Sequence, residues 1–461
     1  MKIGYDRASA SGHSRSDAVD QQTRPSTNIH AYPVQFEAVE PRAFFADPPG
    51  ALYAHVPFCT KKCHFCNFAI TTVHDGDLRS SYVRAMVSEI RRSPEALPVP
   101  RSTFGALNIG GGTPALLEGE QLAEIVEAMR STLPVAPDAE VGVEFDPATV
   151  TPGKTRQLLD AGFTRFSVGV QSFEDQVLAS ANRDHDAAQA QAALDILVGE
   201  TRGRRVFVNV DLIYPLPGLT GEQWLAGVQR ACDMGIDGIT LYGLEIWPKT
   251  VFHRWSSRSE LDLPDRRDEL KFHLEALQIL WSAGYRPGAA SAWIAPSADR
   301  YCSYLDVVWS GDPVLGFGVS SRSTVDRRSW NNMRSIPKYV EAIDAGLSPI
   351  ETGCVRNAAQ SMRQHIIRGF KRGYVDPAAF ARDFGVTVTE AFPQQLARIL
   401  DAGLVVEEGG RLELTDLGRV MVANIVHVFV EADDHDARGR HQIGVSFEPY
   451  PAAGRIFEEE A

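Results

Sequence analysis

The sequence predicts an α/β fold, a parallel β/α barrel followed by a smaller α+β domain. Three features carry that expectation. Short apolar, β-branched runs recur about every 30 to 40 residues from residue 50 onward, amphipathic helical patterns fill the intervals, and conspicuous polar residues stand at or just past the ends of the runs. Strand, helix, strand at that spacing implies parallel pairing through right-handed crossovers, and parallel barrels gather ligands at the carboxyl ends of their strands.

Taken in order, residues 1–45 are polar, rich in Ser, Asp, Gln and Arg, and without periodicity, which reads as a flexible arm. The barrel is expected over 46–350, with strands at 106–109, 139–145, 165–170, 206–213 and 239–242. Helices at 77–92, 119–132, 153–161, 186–198 and 221–234 separate them. Gly110-Gly-Gly-Thr-Pro114 follows one strand, Glu144 and Asp146 close the next, and Gln171 and Asp211 mark the two after that. Beyond 350 come helices at 358–370, 376–384 and 391–402, a strand pair turning on Gly409-Gly410 within 404–414, and a last helix over 417–429. That pattern is winged-helix-like and defines a second domain over 351–461. Such modules often bind DNA, but no recognition helix here concentrates basic residues, so a lid or substrate-side wall is expected.

The chain has 461 residues, 44% hydrophobic and 23% charged, enough for one large core and one or two smaller ones. A formal net charge of −13 argues against general adhesion to nucleic acid or anionic membrane. No apolar stretch approaches the roughly 20 residues of a membrane span. The opening Met1-Lys-Ile-Gly-Tyr-Asp carries no apolar signal segment and cysteines are few, so a reducing cytoplasm is expected. A monomer is expected, although no sequence feature gives the oligomeric state.

Half of the six cysteines fall within eight residues, at Cys59, Cys63 and Cys66. Thiolates so grouped are soft ligands that select iron–sulfur clusters or zinc. Three ligands on a four-iron cluster leave one iron open to a substrate or cofactor. A zinc knuckle completed by His55 or His64 is the competing assignment, although zinc sites usually show a second ligand pair downstream and Cys232, Cys302 and Cys354 stand alone.

These residues, with Phe65 before the third thiol, the run Gly110 to Pro114, Glu144-Phe-Asp-Pro147, Ser167-Val-Gly-Val-Gln-Ser-Phe173, Asn182-Arg183, Asp211-Leu-Ile-Tyr214 and Leu315-Gly-Phe-Gly-Val-Ser320, resemble the radical S-adenosylmethionine (SAM) superfamily, and within it the oxygen-independent coproporphyrinogen III oxidase group. The resemblance runs from Tyr53 to Phe429 and implies a partial parallel (β/α)6 barrel. It also implies a [4Fe–4S] cluster on Cys59, Cys63 and Cys66, a SAM held by Tyr53, Gly110, Gly111, Gly112 and Glu144, and a second SAM contacted by Phe65, Gly112, Thr113, Gln171, Arg183 and Asp211. The physical roles suit the residue types. Glycine lets backbone approach a ligand, Glu144 and Asp211 accept from hydroxyls or an ammonium, and Arg183 can take a carboxylate bidentately. The reaction would also need a small-molecule substrate and an external donor of flavodoxin or ferredoxin type.

Where substrate should sit, the chain departs from the oxidase. Phe68 stands in place of a further cysteine, Pro215 in place of a glycine, and Tyr242-Gly-Leu-Glu-Ile-Trp-Pro248 replaces a different loop, which makes Tyr242 and Glu245 candidate catalytic residues. His55, His64, His185 and Asp211 also compete for the acid or base role. The segment 289–296 offers no cation for porphyrinogen carboxylates, and Arg322, Arg327 and Arg328 are the remaining candidates to supply them. The preferred expectation is therefore methylene transfer from the second SAM to an sp² carbon of a natural-product-type substrate, giving C-methylation or cyclopropanation, as in class C radical methyltransferases. The alternatives are oxidative decarboxylation of porphyrinogen propionates and, third, haem binding and trafficking.

Overall fold

The structure, a computed structural model, describes residues 50–73, 75–96, 103–298 and 302–430. The arm expected over 1–45 and the tail beyond 430 lie outside the described residues. Six parallel strands run in chain order: β1 (Gly50–Val56), β2 (Phe104–Gly111), β3 (Val135–Phe145), β4 (Arg165–Gln171), β5 (Phe207–Tyr214) and β6 (Gly238–Gly243). Each pairs with the next, the singly wound order of an open barrel. Antiparallel β7 (Arg286–Pro287) and β8 (Ala292–Ile294) extend the β6 edge. Beyond β1 lie β9 (Val314–Phe317), parallel to it, then β10 (Arg322–Val325), β11 (Arg328–Asn332) and β12 (Ile350–Val355), all antiparallel.

Register sorts the side chains by chemistry. Outward positions such as Val141, Val143, Phe166, Val168, Val208, Val210 and Ile239 are fully buried under the helices. The opposite face is polar: in-register neighbours include Tyr53 and Asn108, Glu144 and Ser167, Ser167 and Asn209, and Asp211 and Thr240. Burying such groups is costly unless they are hydrogen-bonded. They are: Asn209 Nδ2 donates to Asp211 Oδ1 (2.8 Å) and Ser167 Oγ (3.0 Å), and Thr240 Oγ1 donates to Asn209 Oδ1 (3.2 Å). The barrel interior is thus a prearranged polar floor.

The second domain has its own apolar core around Ile366, Phe370, Phe380, Phe392 and Ile399. Helices Ala358–Arg372, Pro377–Phe384 and Pro393–Asp401 precede β14 (Val405–Glu408) and β15 (Arg411–Leu414), with β13 (Tyr374–Val375) on the other side of β15. Gly409 and Gly410 both take positive φ (57° and 79°), as a two-residue primed hairpin turn requires. The expected last helix is two, Asp416–Val420 and Val422–Val428. The boundary drawn at 350 needs correcting, because β12 pairs with β11 and belongs to the large sheet; the change of sheet comes after Val355. The domain docks on the barrel through Trp281 Nε1 to Asp416 Oδ2 (3.1 Å), Arg372 to Asp306 (2.9 Å), Ala290 N to Lys371 O (3.0 Å) and Arg419 Nη1 to Ala289 O (3.2 Å). Among the described residues no helix is long and apolar enough to cross a membrane.

Candidate active site

The cysteine loop leaves β1 and is pinched at its base. Cys59 N donates to Thr71 O (3.0 Å) and Thr71 N to Pro57 O (2.7 Å), which closes residues 57–71 into one loop. The end of β2 holds it from below, with Gly112 N donating to Val56 O (2.8 Å) and Thr113 N to Phe58 O (2.7 Å). That close approach explains the glycines. A Cβ on Gly112 would stand 2.6 Å from Phe58 O and 2.9 Å from Cys59 Sγ, and one on Gly110 would stand 2.4 Å from Glu144 Oε1. Gly111 needs glycine twice over, for its φ of 119° and for the His55 ring beside it.

Cys59, Cys63 and Cys66 line one end of a cavity of about 560 Å³ that runs over the carboxyl ends of the strands to the second domain. Phe65, Gly111, Gly112, Thr113, Glu144, Gln171, Arg183, Asp211, Tyr242 and Glu245 share its wall. Tyr53 and Gly110 do not. The Tyr53 hydroxyl is 3.1 Å from His55 Nδ1 and its ring stacks on Tyr304, while Gly110 lies beneath the Glu144 carboxylate. His55, buried under that hydroxyl, faces Ala69 O at 3.0 Å, and His64 faces Ser180 O at 2.7 Å, so both histidines serve backbone carbonyls. Arg322, Arg327 and Arg328 belong to the β10–β11 hairpin and are not among the cavity-lining residues.

The electrostatics mark the thiol end. Burial pushes the Cys59 thiol up to about 12 and raises Cys66 too, a cost that a bound cation would remove. Arg183 faces the same thiols. Its Nη1 is 3.2 Å from Cys63 Sγ, its Nη2 reaches Asp146 Oδ2 (2.5 Å) and Gly169 O (2.6 Å), and His185 stands 3.4 Å from Asp146. Burial would raise Asp146, but the His185 hydrogen bond and the guanidinium outweigh it and hold the carboxyl low. Sequence motifs placed Asp146 at a strand end without assigning it this orienting role. On the floor, burial pushes Glu144 up to about 7 and Asp211 to about 6. Glu144 accepts from Gly111 N (3.2 Å) and Asn108 Nδ2 (3.4 Å).

These residues fit the expected cofactors. Three soft ligands face a glycine cradle, two acceptor carboxyls lie at the strand ends, and Gln171, held at φ 69°, buries Oε1 on the cavity wall with no hydrogen-bond partner among the described residues. Such an atom calls for a polar ligand. At the far end the wall carries Arg266, Trp309, Lys371, Arg419 and Asn424, none of which the motifs singled out. Lys371 is buried, lies 5.2 Å over the Trp309 ring and faces Glu245; burial pulls its ammonium down to about 8 despite that carboxylate. No local sequence signal announces these cations; Lys371 and Arg419 reach the wall only because a separate domain docks there.

Comparison with known proteins agrees with the fold and with the expected cofactors. Residues 53–245 match the radical SAM superfamily and residues 371–421 match the HemN C-terminal domain. The anaerobilin synthase of Escherichia coli O157:H7 is 28% identical over 81% of this chain and 82% of its own. The haem chaperone HemW of Synechocystis is 30% identical over 65% of this chain and 72% of its own. Oxygen-independent coproporphyrinogen III oxidases are similar in sequence, at 27% identity over 84% and 86% of the two chains for Salmonella typhimurium. The E. coli oxidase HemN is similar in fold, with a TM-score of 0.70 at 24% identity over 83% and 90% of the two chains. These relatives overturn the expectation of methylene transfer, since those similar over most of the chain include a haem chaperone and coproporphyrinogen III oxidases, which fit the oxidase alternative better. The cavity wall does carry cations, at Arg266, Lys371 and Arg419, outside the segment 289–296 that offers none.

Proposed function

Because the chain belongs to the radical SAM superfamily, in the group of coproporphyrinogen III oxidase-like and HemW-like proteins, with a [4Fe–4S] cluster and SAM as its cofactors, we propose that it oxidatively decarboxylates propionates of a coproporphyrinogen-type substrate. The observation that carries this reading is the cavity itself. One continuous space joins the three thiols to the cations of the second domain, so a ligand with several carboxylates can be held at its rim while one of its side chains reaches the strand ends. When bound, the cluster and SAM supply a 5′-deoxyadenosyl radical that removes one hydrogen atom. Each propionate then becomes a vinyl group on loss of that hydrogen, one further electron and carbon dioxide. In this reading the protein acts as a monomer supplied by an external reductant, and a second SAM sits against Gln171, Arg183 and Asp211.

The chain's own residues bind, orient and exclude water. Cys59, Cys63 and Cys66 hold the cluster, and Arg183 offsets thiolate charge while Asp146 and His185 fix its direction. Glu144 and Asp211 accept hydrogen bonds from cofactor hydroxyls or ammonium groups. Lys371 and Arg419 take substrate carboxylates, with Glu245 answering Lys371 when the pocket is free. Tyr242, 40% exposed at the strand end, covers the substrate.

The test is anaerobic turnover of coproporphyrinogen III by reconstituted protein with SAM and dithionite. Equal release of 5′-deoxyadenosine and carbon dioxide is the expected result. Two observations favour a second reading: Phe68 replaces the oxidase's further cysteine, and the 30% identical relative is a haem chaperone. Tight haem binding without any carbon dioxide release would select that reading and discard decarboxylation.

A further inference from the structure

Beside the thiols the surface of this acidic chain turns basic. Helix Val251–Ser256 packs directly on the cysteine loop, with Phe252 N donating to His64 O (3.1 Å) and the His64 and Trp255 rings meeting edge to face at 5.0 Å. Around it Lys249, Arg254 and Arg258 are exposed, and none of them makes an ion pair among the described residues. Lys61 and Lys62, both exposed, lie on the same cysteine loop that the helix packs against, and Asn182 Nδ2 fixes the Lys62 carbonyl (2.9 Å). Acidic groups near this face include Asp184, which pairs with Lys61 at 2.9 Å, and the exposed Glu260 and Asp262. Phe68, 55% exposed, adds an apolar contact at the rim.

We propose that this face docks an acidic one-electron donor protein of flavodoxin or ferredoxin type. A net charge of −13 repels such a donor from most of the molecule, so a cationic patch both attracts it and selects its orientation. The selected orientation brings it against the loop that carries Cys59, Cys63 and Cys66, the end of the cavity where the electron is needed. In the complex the donor is oxidised by one electron and the cluster is reduced by one, with no group transferred. The need for that electron rests on the proposed radical chemistry; the charge pattern of the face does not.

The experiment reverses charge at positions outside the cavity wall, K249E/R254E/R258E, and compares it with R202E/R204E/R205E. The control triplet is equally exposed and changes net charge by the same amount, but lies at the amino end of β5, the opposite end of the barrel. Binding of an acidic flavodoxin to the cluster-loaded protein is titrated at several salt concentrations, and 5′-deoxyadenosine release is measured with reduced flavodoxin and with dithionite. The face variant should bind about tenfold more weakly at low salt, with a flattened salt dependence, and lose flavodoxin-driven turnover in proportion. Its dithionite-driven turnover should equal that of wild type, and the control triplet should match wild type throughout. Unchanged flavodoxin binding in the face variant, or an equal loss in the control, overturns the proposal. If wild type releases no 5′-deoxyadenosine even with dithionite, the radical chemistry fails, while the binding titration still decides the docking face.

Discussion

The two ends of the cavity are built on opposite plans. At the thiol end, backbone does the positioning: one pinched loop, a glycine cradle with no space for a Cβ, and a single guanidinium oriented by Asp146. At the far end, side chains from distant segments converge, with Arg266 from the barrel's own extension and Lys371 and Arg419 from the second domain. A wall made of backbone admits few changes, because every atom is fixed by its neighbours. A wall made of long side chains can be re-formed one residue at a time. The thiol end is therefore defined by backbone geometry and the far end by charge.

Replacing any one of Cys59, Cys63 or Cys66 with alanine should have the largest effect. Iron content should fall and 5′-deoxyadenosine release disappear, with the circular dichroism spectrum kept, since the loop is anchored by backbone bonds at 57–71 and not by its thiols. Next comes Gly112→Ala. Its Cβ meets Phe58 O at 2.6 Å, backbone that cannot swing aside, so overpacking of about 1–3 kcal/mol is expected in thermal unfolding, together with poorer iron retention. If G112A keeps wild-type stability and iron, the thiol end is less rigid than its geometry says.

The same contrast explains what the sequence revealed. Strands β2 to β6 and the helices between them were legible because β-branched runs and amphipathic patterns are local. So was the thiol end, whose residues sit in short contiguous motifs. The antiparallel additions β7, β8 and β10 to β12 were not, being short and lacking sustained alternation. Lys371 was invisible for a different reason: on its helix it reads as one of two basic residues in the last turn, and only docking against Ala290 and Trp309 turns it inward. The segment 289–296 holds no cation, whereas Lys371 and Arg419, remote from it in sequence, lie on the same cavity wall.

Lys371→Gln probes the far end alone. The expected result is a roughly tenfold higher KM for coproporphyrinogen III, the scale of one charge-assisted hydrogen bond, with SAM cleavage in the absence of substrate unchanged. In wild type the ammonium titrates near 8, so KM should climb as pH rises through 8 and the climb should vanish in K371Q. A variant that also lost substrate-free SAM cleavage would show that the two ends are not independent.

The smallest effect separates the two ends by pH alone, read as the thermal stability of the cofactor-free protein. Glu144 and Asp211 have folded values raised, mainly by burial, to about 7 and about 6 from ordinary carboxylate values of 4.5 and 3.8. The folded state then holds protons that the unfolded state has released, so their contribution is fully present below about pH 4 and is lost as pH rises through 6 and 7. Lys371 works the other way. Its folded value is lowered from 10.5 to about 8, the unfolded chain holds the extra proton between those values, and stability contributed there rises with pH. Glu144→Gln and Asp211→Asn should each flatten the fall below pH 7 by on the order of 1 kcal/mol and leave the rise above 8 intact, whereas Lys371→Gln should do the reverse. If either carboxyl variant altered the alkaline limb, the floor of the barrel and the wall of the second domain would be one electrostatic unit.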